Sequence, residues 1–145
     1  MINVPTILLA VTLAGAGTIE TELEPTYTEN DLYVLSHIIS AEAGNCSRDM
    51  MLSVGSVVLN RVADDRFPDS IEEVVFQQDP VQYSPTVNGA YYEEPTKEAC
   101  EVAKELLEKG SAIDQSVVWQ AEFPQGEGTY DKIPIPWGGY MYFCF

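Results

Sequence analysis

The sequence predicts a single α+β domain in which helices dominate and a small antiparallel sheet completes the fold. Apolar residues recur at helical spacing in several segments between residues 28 and 109. Two short runs near the C-terminus, "SVVWQA" and "YMYFCF", are rich in β-branched and aromatic residues, as strands are. The length of 145 residues and the hydrophobic content of 46% suffice for one core but not for two.

The N-terminal segment contains a candidate targeting signal. Residues 1–17 include an apolar run, Ile7 to Ala14, of the length of a signal-peptide core, followed by small residues that resemble a cleavage site. No Lys or Arg precedes this run, so a first strand or helix packed on the domain is the alternative. Residues 18–30 are acidic and contain Pro25, which indicates a linker, and we assign the domain itself to residues 31–145.

The first predicted helix of the domain begins with a capping box in which Thr28 is followed by Asp31. It runs to Ala43, and Gly44-Asn45 ends it. The apolar stripe of this helix comprises Leu32, Leu35, Ile38 and Ile39. The next position on the stripe is Glu42, so the pattern directs a carboxyl group at the core.

Two interpretations of Glu42 follow from the same physics. In the structural one it reaches solvent or pairs with Arg61, because a buried glutamate is costly unless it is paired or protonated. In the functional one it is a general acid, because burial and the carbonyl end of a helix both favour the neutral carboxyl. A carboxyl that keeps its proton near neutral pH can donate it to a glycosidic oxygen.

The second predicted helix, Arg48 to Val62, is capped by Ser47 and carries few charges, so we expect it to be central and largely buried. Its small residues permit close approach of another helix or a ligand: Ser53, Gly55 and Ser56. A further capping box, Ser70 with Glu73, begins a short helix from Ile71 to Phe76.

The remaining chain alternates irregular and regular segments. Residues 77–95 hold three prolines and an Asn-Gly pair, which predicts a long irregular segment or a small hairpin, and such segments are often functional. Thr96 caps the next helix, Gly110 stops it, and Lys/Glu pairs at i,i+4 spacing predict an exposed face. The two apolar runs are predicted to form an antiparallel pair joined by a long loop, residues 122–139.

Composition excludes several classes of function. The chain holds 23 acidic and 7 basic residues, and its net charge of −16 would repel nucleic-acid phosphates and an anionic membrane surface. The single histidine, His37, excludes a zinc site with two or three histidines, and we interpret it as a surface or boundary residue. No glycine-rich phosphate loop is present. We therefore expect no metal and no other cofactor.

Three cysteines leave two interpretations open: Cys46, Cys100 and Cys144. In an exported chain one pair would bridge and one thiol would remain odd. Alternatively, all three are small buried hydrophobes. No Cys-x-x-Cys pair exists, which disfavours a zinc site built from these thiols and His37.

Several ordered blocks of sequence resemble a known family. They are "SAEAGN" around Glu42, "VGSVVLNRV" in the second helix, "RFPDSIEEVVFQ", "QYSP" and the closing "MYFC". These blocks are similar to the SleB/CwlJ-type cell wall hydrolases, the spore cortex-lytic group, and the resemblance covers residues 31–145. It implies a lysozyme-like α+β fold and cleavage of peptidoglycan glycan strands between MurNAc and GlcNAc.

The resemblance places the catalytic glutamate of the family on Glu42. This residue would protonate the linking oxygen and then accept a proton from the MurNAc C6 hydroxyl, as in a lytic transglycosylase that leaves 1,6-anhydro-MurNAc ends. Such an enzyme needs one carboxyl group, whereas ordinary glycosidases use two. Three other acids could assist the reaction, although we expect each to be a solvated surface charge: Asp49, Glu122 and Glu127.

The resemblance also suggests which residues surround the catalytic acid. Expected substrate-binding residues are Gln82, Tyr83, Ser84, Trp119 and Gln120. We expect Tyr83 either to stack on a sugar ring or to pack in the core, and Trp119 either to form such a platform or to pack likewise. The pair that ends the second helix, Asn60 and Arg61, is expected to support the site rather than to touch substrate.

Two alternatives to a lytic transglycosylase remain: a hydrolysing muramidase with the same acid, and a non-catalytic cell-wall-binding domain on this fold. The second is motivated by Met51 and Met141, which stand where the family often has glutamine and histidine. We expect a monomer that binds peptidoglycan glycan strands, no nucleic acid, and no membrane beyond the candidate signal peptide. If residues 1–17 are a signal peptide, the protein is extracytoplasmic or secreted to the cell wall.

Overall fold

The computed structural model describes residues 24–145 and, before them, only the backbone of two short strands. These strands, β1 Leu9–Val11 and β2 Ile19–Thr21, pair antiparallel with Leu9 opposite Thr21. Residues 1–8 and 12–17 of the candidate signal peptide and residues 18, 22 and 23 of the candidate linker lie outside the described residues.

Residues 24–145 fold into five helices and a three-stranded antiparallel sheet, which confirms the mostly helical α+β class. The helices are α1 Glu29–Ala43, α2 Arg48–Val62, α3 Ile71–Val75, α4 Pro85–Asn88 and α5 Lys97–Lys109. The strands are β3 Trp119–Ala121, β4 Thr129–Pro134 and β5 Tyr140–Cys144. A 3-10 turn, Ala90–Tyr92, follows α4.

The helix starts follow the sequence signals. Thr28 accepts a hydrogen bond from the backbone N–H of Asp31, and the Asp31 carboxyl accepts one from the N–H of Thr28, which completes the capping box. Ser47, Ser70 and Thr96 cap α2, α3 and α5 through their hydroxyls. Each hydroxyl satisfies an N–H that has no partner inside the helix. The predicted starts of these four helices are therefore confirmed.

α2 is buried along most of its length and packs against α1, α3 and α5, as its low charge predicted. Gly55 faces its neighbours so closely that an added Cβ would lie 2.4 Å from Cδ1 of Leu106 and 2.7 Å from Cδ1 of Ile39. The observed spacing of α1, α2 and α5 therefore depends on glycine at this position. Met51 and Met141, the two departures from the family pattern, are both buried in the core.

The sheet has the strand order β3-β5-β4. β3 pairs antiparallel with β5, as expected, with Trp119 opposite Cys144. The expectation of a plain loop over residues 122–139 is wrong, because this segment contains β4, which pairs with β5 and sets Lys132 opposite Tyr142. Nearly all side chains of β4 are exposed, so the strand shows no apolar alternation in the sequence.

Residues 77–95 form an irregular segment that contains α4 and the 3-10 turn, and not a hairpin. Gly89 joins the two with a φ of 93°, a left-handed conformation that glycine adopts without strain. Because α4 packs against α1, this irregular segment lies beside the helix that carries Glu42.

The three thiols are unpaired, so the bridged interpretation is not realised. Cys144 is buried, which fits the small-hydrophobe interpretation, whereas Cys46 and Cys100 are only partly buried. Burial raises the pKa of the Cys46 thiol, which favours its neutral form.

Candidate active site

Glu42 lies in the last turn of α1, and its side chain is partly buried. Burial removes water from the carboxylate and raises the pKa of Glu42 to about 7, while the nearby charge of Arg61 acts in the opposite direction. Within residues 24–145 no hydrogen bond reaches this carboxyl. A carboxyl in these surroundings keeps its proton up to near-neutral pH and can act as a general acid.

Arg61, near the end of α2, is 4% exposed and makes no ion pair with a carboxylate of the described chain. Its Nε donates to the carbonyl of Val118 at 2.8 Å, and Nη1 donates to Oε1 of Gln82 at 3.2 Å. The alternative in which Glu42 is neutralised by a direct pair with Arg61 is therefore not realised.

Three aromatic rings surround the guanidinium of Arg61. Its Cζ lies 5.1 Å from the ring centre of Phe67, 5.4 Å from that of Tyr83 and 5.5 Å from that of Trp119. These distances are within the range of cation–π attraction, which offsets the loss of hydration. We refer to Arg61, Phe67, Tyr83 and Trp119 as the Arg61 cluster. The sequence analysis did not name Phe67 as a candidate site residue, although Phe67 is the second residue of the "RFPDSIEEVVFQ" block.

Asn60 fixes the end of α2 to the segment that leads into β3. Its Nδ2 donates to the carbonyls of Asp114 at 2.8 Å and of Val117 at 2.9 Å, and the side chain is 2% exposed. Asn60 and Arg61 thus hold three carbonyls of one segment, those of Asp114, Val117 and Val118, a placement that suits a supporting role.

Tyr83 lies in the core with 2% of its surface exposed, so its ring offers no free face to a sugar. The expectation that Tyr83 stacks on substrate is wrong for this conformation, because the ring is occupied by its contact with Arg61. Its hydroxyl is buried without a hydrogen-bond partner. Burial raises the pKa of Tyr83 to about 12, Arg61 lowers it, and the charge of Glu42 raises it further.

The other expected substrate contacts differ in accessibility. Gln82 is engaged at both ends of its amide, since Oε1 accepts from Arg61 and Nε2 donates to the carbonyl of Pro80 at 3.1 Å. Ser84 is exposed and precedes α4. Trp119 is partly buried against Phe67, with ring centres 5.7 Å apart. Gln120 is partly buried, and its Oε1 has no partner.

His37 is buried at 7% exposure, so its interpretation as a surface or boundary residue is wrong. Its ring lies between those of Tyr33 and Tyr91, with centres 4.1 Å and 5.4 Å away, and Nδ1 is 2.7 Å from the carbonyl oxygen of Tyr91. The interpretation of three other acids as surface charges agrees with their exposure: Asp49, Glu122 and Glu127.

A cavity of about 870 Å³ adjoins the Arg61 cluster. It is lined by Asp65, Phe67, Pro68, Asp69, Glu72, Glu73, Phe76 and Gln77. Phe67 belongs to both the cavity wall and the Arg61 cluster, whereas Glu42 is not part of this wall.

Within the described part of the chain, no group of histidine, cysteine and acidic side chains is arranged to hold a metal. In the same part of the chain, no helix is long and apolar enough to cross a bilayer.

A family profile described as Cell Wall Hydrolase matches residues 46–124, more than half of the chain. Two curated relatives are spore cortex-lytic enzymes. The one from Oceanobacillus iheyensis is 25% identical over 91 residues, which are 63% of this chain and 32% of the relative. The one from Bacillus subtilis strain 168 is 25% identical over 81 residues, which are 56% of this chain and 26% of the relative. The chain thus spans about a third or less of each relative.

Two solved structures share the fold. The catalytic domain of the germination-specific lytic transglycosylase SleB from Bacillus anthracis superposes with a TM-score of 0.65 at 18% identity, over 85% of this chain and 100% of that one. The catalytic domain of the Bacillus cereus SleB protein gives a TM-score of 0.65 at 20% identity, over 90% of this chain and 100% of that one. These likenesses confirm the fold that the sequence resemblance implied.

Proposed function

The chain belongs to the cell wall hydrolase family, and on this premise we propose that it cleaves peptidoglycan glycan strands as a lytic transglycosylase. The observation that supports this most directly is the carboxyl of Glu42, whose pKa is raised to about 7 by burial. Such an acid is protonated often enough near neutral pH to donate, and ionised often enough to accept.

In the proposed reaction Glu42 performs both proton transfers. The neutral carboxyl protonates the oxygen that links MurNAc to GlcNAc, and the bond from this oxygen to MurNAc C1 breaks. The resulting carboxylate accepts the proton of the MurNAc C6 hydroxyl, whose oxygen bonds to C1. The products are a GlcNAc 4-hydroxyl and a 1,6-anhydro-MurNAc end, no water is consumed, and Glu42 ends with its proton restored.

A single acid is sufficient for this chemistry. A hydrolysing muramidase would need a second carboxyl at roughly 5–9.5 Å from the first. The three other candidate acids, Asp49, Glu122 and Glu127, are exposed. The exposure of these three acids, which is typical of solvated surface charges, supports the transglycosylase in our proposal.

Substrate contacts are proposed from residues around the Arg61 cluster. Ser84 presents an exposed hydroxyl, and Trp119 retains a partly exposed ring for a sugar face. Gln120 carries a buried amide oxygen without a partner in the protein, so a contact with substrate would require its side chain to turn outward. Gln82 accepts a hydrogen bond from Arg61, and this bond would hold the Gln82 side chain beside the bound glycan strand. Because peptidoglycan is the substrate, the domain would act outside the cytoplasm.

Digestion of purified peptidoglycan followed by mass spectrometry tests the proposal. We expect the parent protein to release anhydro-muropeptides and Glu42→Gln to release none, because the amide is too weak an acid to protonate the linking oxygen. Glu98→Gln, at an exposed position of α5, is the matched control and should cleave like the parent. Reducing-end products would establish a muramidase, and an inactive parent would indicate a cell-wall-binding domain. Equal cleavage by Glu42→Gln would contradict the role of Glu42.

A further inference from the structure

Lys132 on β4 differs from the other cations of the chain. The sequence holds 7 basic residues, all of them within residues 24–145. Arg61 is buried among aromatic rings. The ion pairs with carboxylates engage Arg48, Arg66, Lys97, Lys104 and Lys109. Among the described residues, Lys132 is therefore the exposed cation that no carboxylate neutralises.

Lys132 is held beside two tyrosine rings on one face of the sheet. Its Nζ lies 4.8 Å from the ring centre of Tyr140, and the ring centres of Tyr140 and Tyr142 are 6.4 Å apart. The register sets Lys132 directly opposite Tyr142, so their side chains project from the same face. Met141 and Phe143 alternate with the tyrosines and point into the core instead. We refer to Lys132, Tyr140 and Tyr142 as the outer sheet patch.

The outer sheet patch is open to solvent and suits one kind of ligand. Tyr140 is 41% exposed, Lys132 is exposed and Tyr142 is partly buried. A cation held beside aromatic rings keeps its charge and attracts an anion, while the rings offer apolar surface. A sugar that carries a carboxylate matches both features, because the C–H groups of a pyranose face contact aromatic rings. MurNAc is such a sugar, since its lactyl group bears a carboxylate or a peptide that ends in one.

The same face of the sheet carries Trp119, which is one of the proposed substrate contacts. Trp119 is paired with Cys144, two residues beyond Tyr142 on β5, so its side chain projects from the face of the outer sheet patch. The N–H of Gln125 donates to Sγ of Cys144 at 3.5 Å, so the main chain covers the position between them. At about 3.3 Å a residue, Tyr140 and the Trp119 position are about 13 Å apart along β5. A bound polymer can therefore contact both.

We propose that the outer sheet patch is a second glycan-binding surface, which holds a MurNAc unit of the strand through its carboxylate. This inference rests on the proposed function for the identity of the polymer. Lys132 would pair with the carboxylate, while Tyr140 and Tyr142 contact the sugar ring. A second copy of this chain is the poorer occupant, because two molecules that each carry a net charge of −16 repel one another.

The test is co-sedimentation of full-length protein with insoluble purified peptidoglycan at about 0.01 M salt. Glu42→Gln serves as the background, so that no strand is cleaved during the measurement. We expect Lys132→Gln to weaken binding about threefold and Tyr140→Ala about fivefold. Lys97→Gln and Tyr33→Ala change an exposed cation and an exposed tyrosine elsewhere, and both should bind like the background. Unchanged binding by Lys132→Gln and Tyr140→Ala would overturn the proposal, and so would equal losses in the controls.

Two further comparisons isolate the carboxylate. Chitin is a neutral polymer of GlcNAc, so Lys132→Gln should bind it as the background does, and an equal loss on chitin and peptidoglycan would contradict the proposal. At about 1 M salt the Debye length falls to about 3 Å, so the difference between Lys132 and Lys132→Gln on peptidoglycan should disappear. A difference that persists would show that Lys132 acts through packing and not through charge.

Sedimentation velocity without peptidoglycan tests the competing occupant. A dimer that Lys132→Gln abolishes, with no change in wall binding, would overturn the proposal. The outcome is also separable from the proposed function, because the binding assay requires no cleavage. If the parent releases no glycan product but Lys132→Gln loses affinity for peptidoglycan, the catalytic proposal fails and the second surface stands. If the parent cleaves and Lys132→Gln binds as tightly as the background, only the second surface fails.

Discussion

Glu42 and Arg61 lie close enough for the arginine charge to lower the pKa of the carboxyl, yet no ion pair joins them. The guanidinium is already held by a backbone carbonyl, by the amide of Gln82 and by three aromatic rings. An arginine with its donors engaged in this way attracts the carboxylate at a distance but does not solvate it. Desolvation is therefore the larger effect, and the pKa of Glu42 ends near 7.

The raised pKa of Glu42 predicts a pH-dependent stability. Between the ordinary value of 4.5 and about 7 the folded protein retains a proton that the unfolded chain has lost, so the free energy of unfolding falls as pH rises through this interval. Each unit of pKa difference corresponds to about 1.4 kcal/mol, so complete ionisation destabilises the folded state by about 3 kcal/mol.

Glu42→Gln removes this ionisation and should raise the free energy of unfolding by up to about 3 kcal/mol at about pH 8, with little effect at about pH 4. Urea titrations of parent and variant at both pH values measure the difference. A stability difference that does not change with pH would show that Glu42 ionises with an ordinary pKa.

Among the elements, four of the five helices could be predicted, whereas the short helix α4 and the strand β4 could not. The hydroxyl caps of α1, α2, α3 and α5 and the helix stop at Gly110 are local signals, and the structure confirms them. β4 pairs with β5 through its backbone while its side chains face water, so composition conceals it. Strand pairing of this kind depends on a distant partner rather than on its own residues.

The contact of α2 with α1 and α5 gives a prediction at the element scale. Gly55→Ala would bring a methyl group within 2.4 Å of Leu106 and 2.7 Å of Ile39, both buried. Overpacking of this kind costs about 1–3 kcal/mol, partly offset by about 1 kcal/mol of helix propensity. We expect a lower urea midpoint for Gly55→Ala.

The matched control is Gly128→Ala, whose added methyl group would meet only Phe145, at an ordinary 3.6 Å. Its urea midpoint should stay close to that of the parent. If Gly55→Ala had the same urea midpoint as Gly128→Ala, the added methyl group would fit between α1, α2 and α5. The spacing of these helices would then not depend on glycine.

At the scale of the whole molecule, the periodicity of the sequence identified one acid of the candidate site. The resemblance suggested several neighbouring residues, but neither predicted the contacts that these residues make. Glu42 stands out because it interrupts a local apolar stripe. The burial of His37 arises from Tyr91, which is distant along the chain, and the cation–π contacts of Arg61 come from three separate segments. Contacts between remote residues leave no periodic signal, so the placement of Tyr83 in the core needed the structure.

The net charge of −16 also acts on the molecule as a whole. Like charges repel more in the compact state than in the extended chain, and salt screens this repulsion, with a Debye length of about 30 Å at 0.01 M and about 10 Å at 0.1 M. We therefore expect the Tm in calorimetric scans to rise as the salt concentration is raised from about 0.01 M to about 0.1 M. Salt also weakens exposed ion pairs, such as Lys97 with Glu101, but these contribute little to stability. A constant or falling Tm would show that self-repulsion is negligible.

The junction between α2 and β3 has a consequence for how this domain tolerates change. Asn60 and Arg61 bind the main chain at Asp114, Val117 and Val118, and a main-chain oxygen is the same whatever amino acid bears it. Substitution along that stretch can therefore proceed without detaching it, provided the two donors persist.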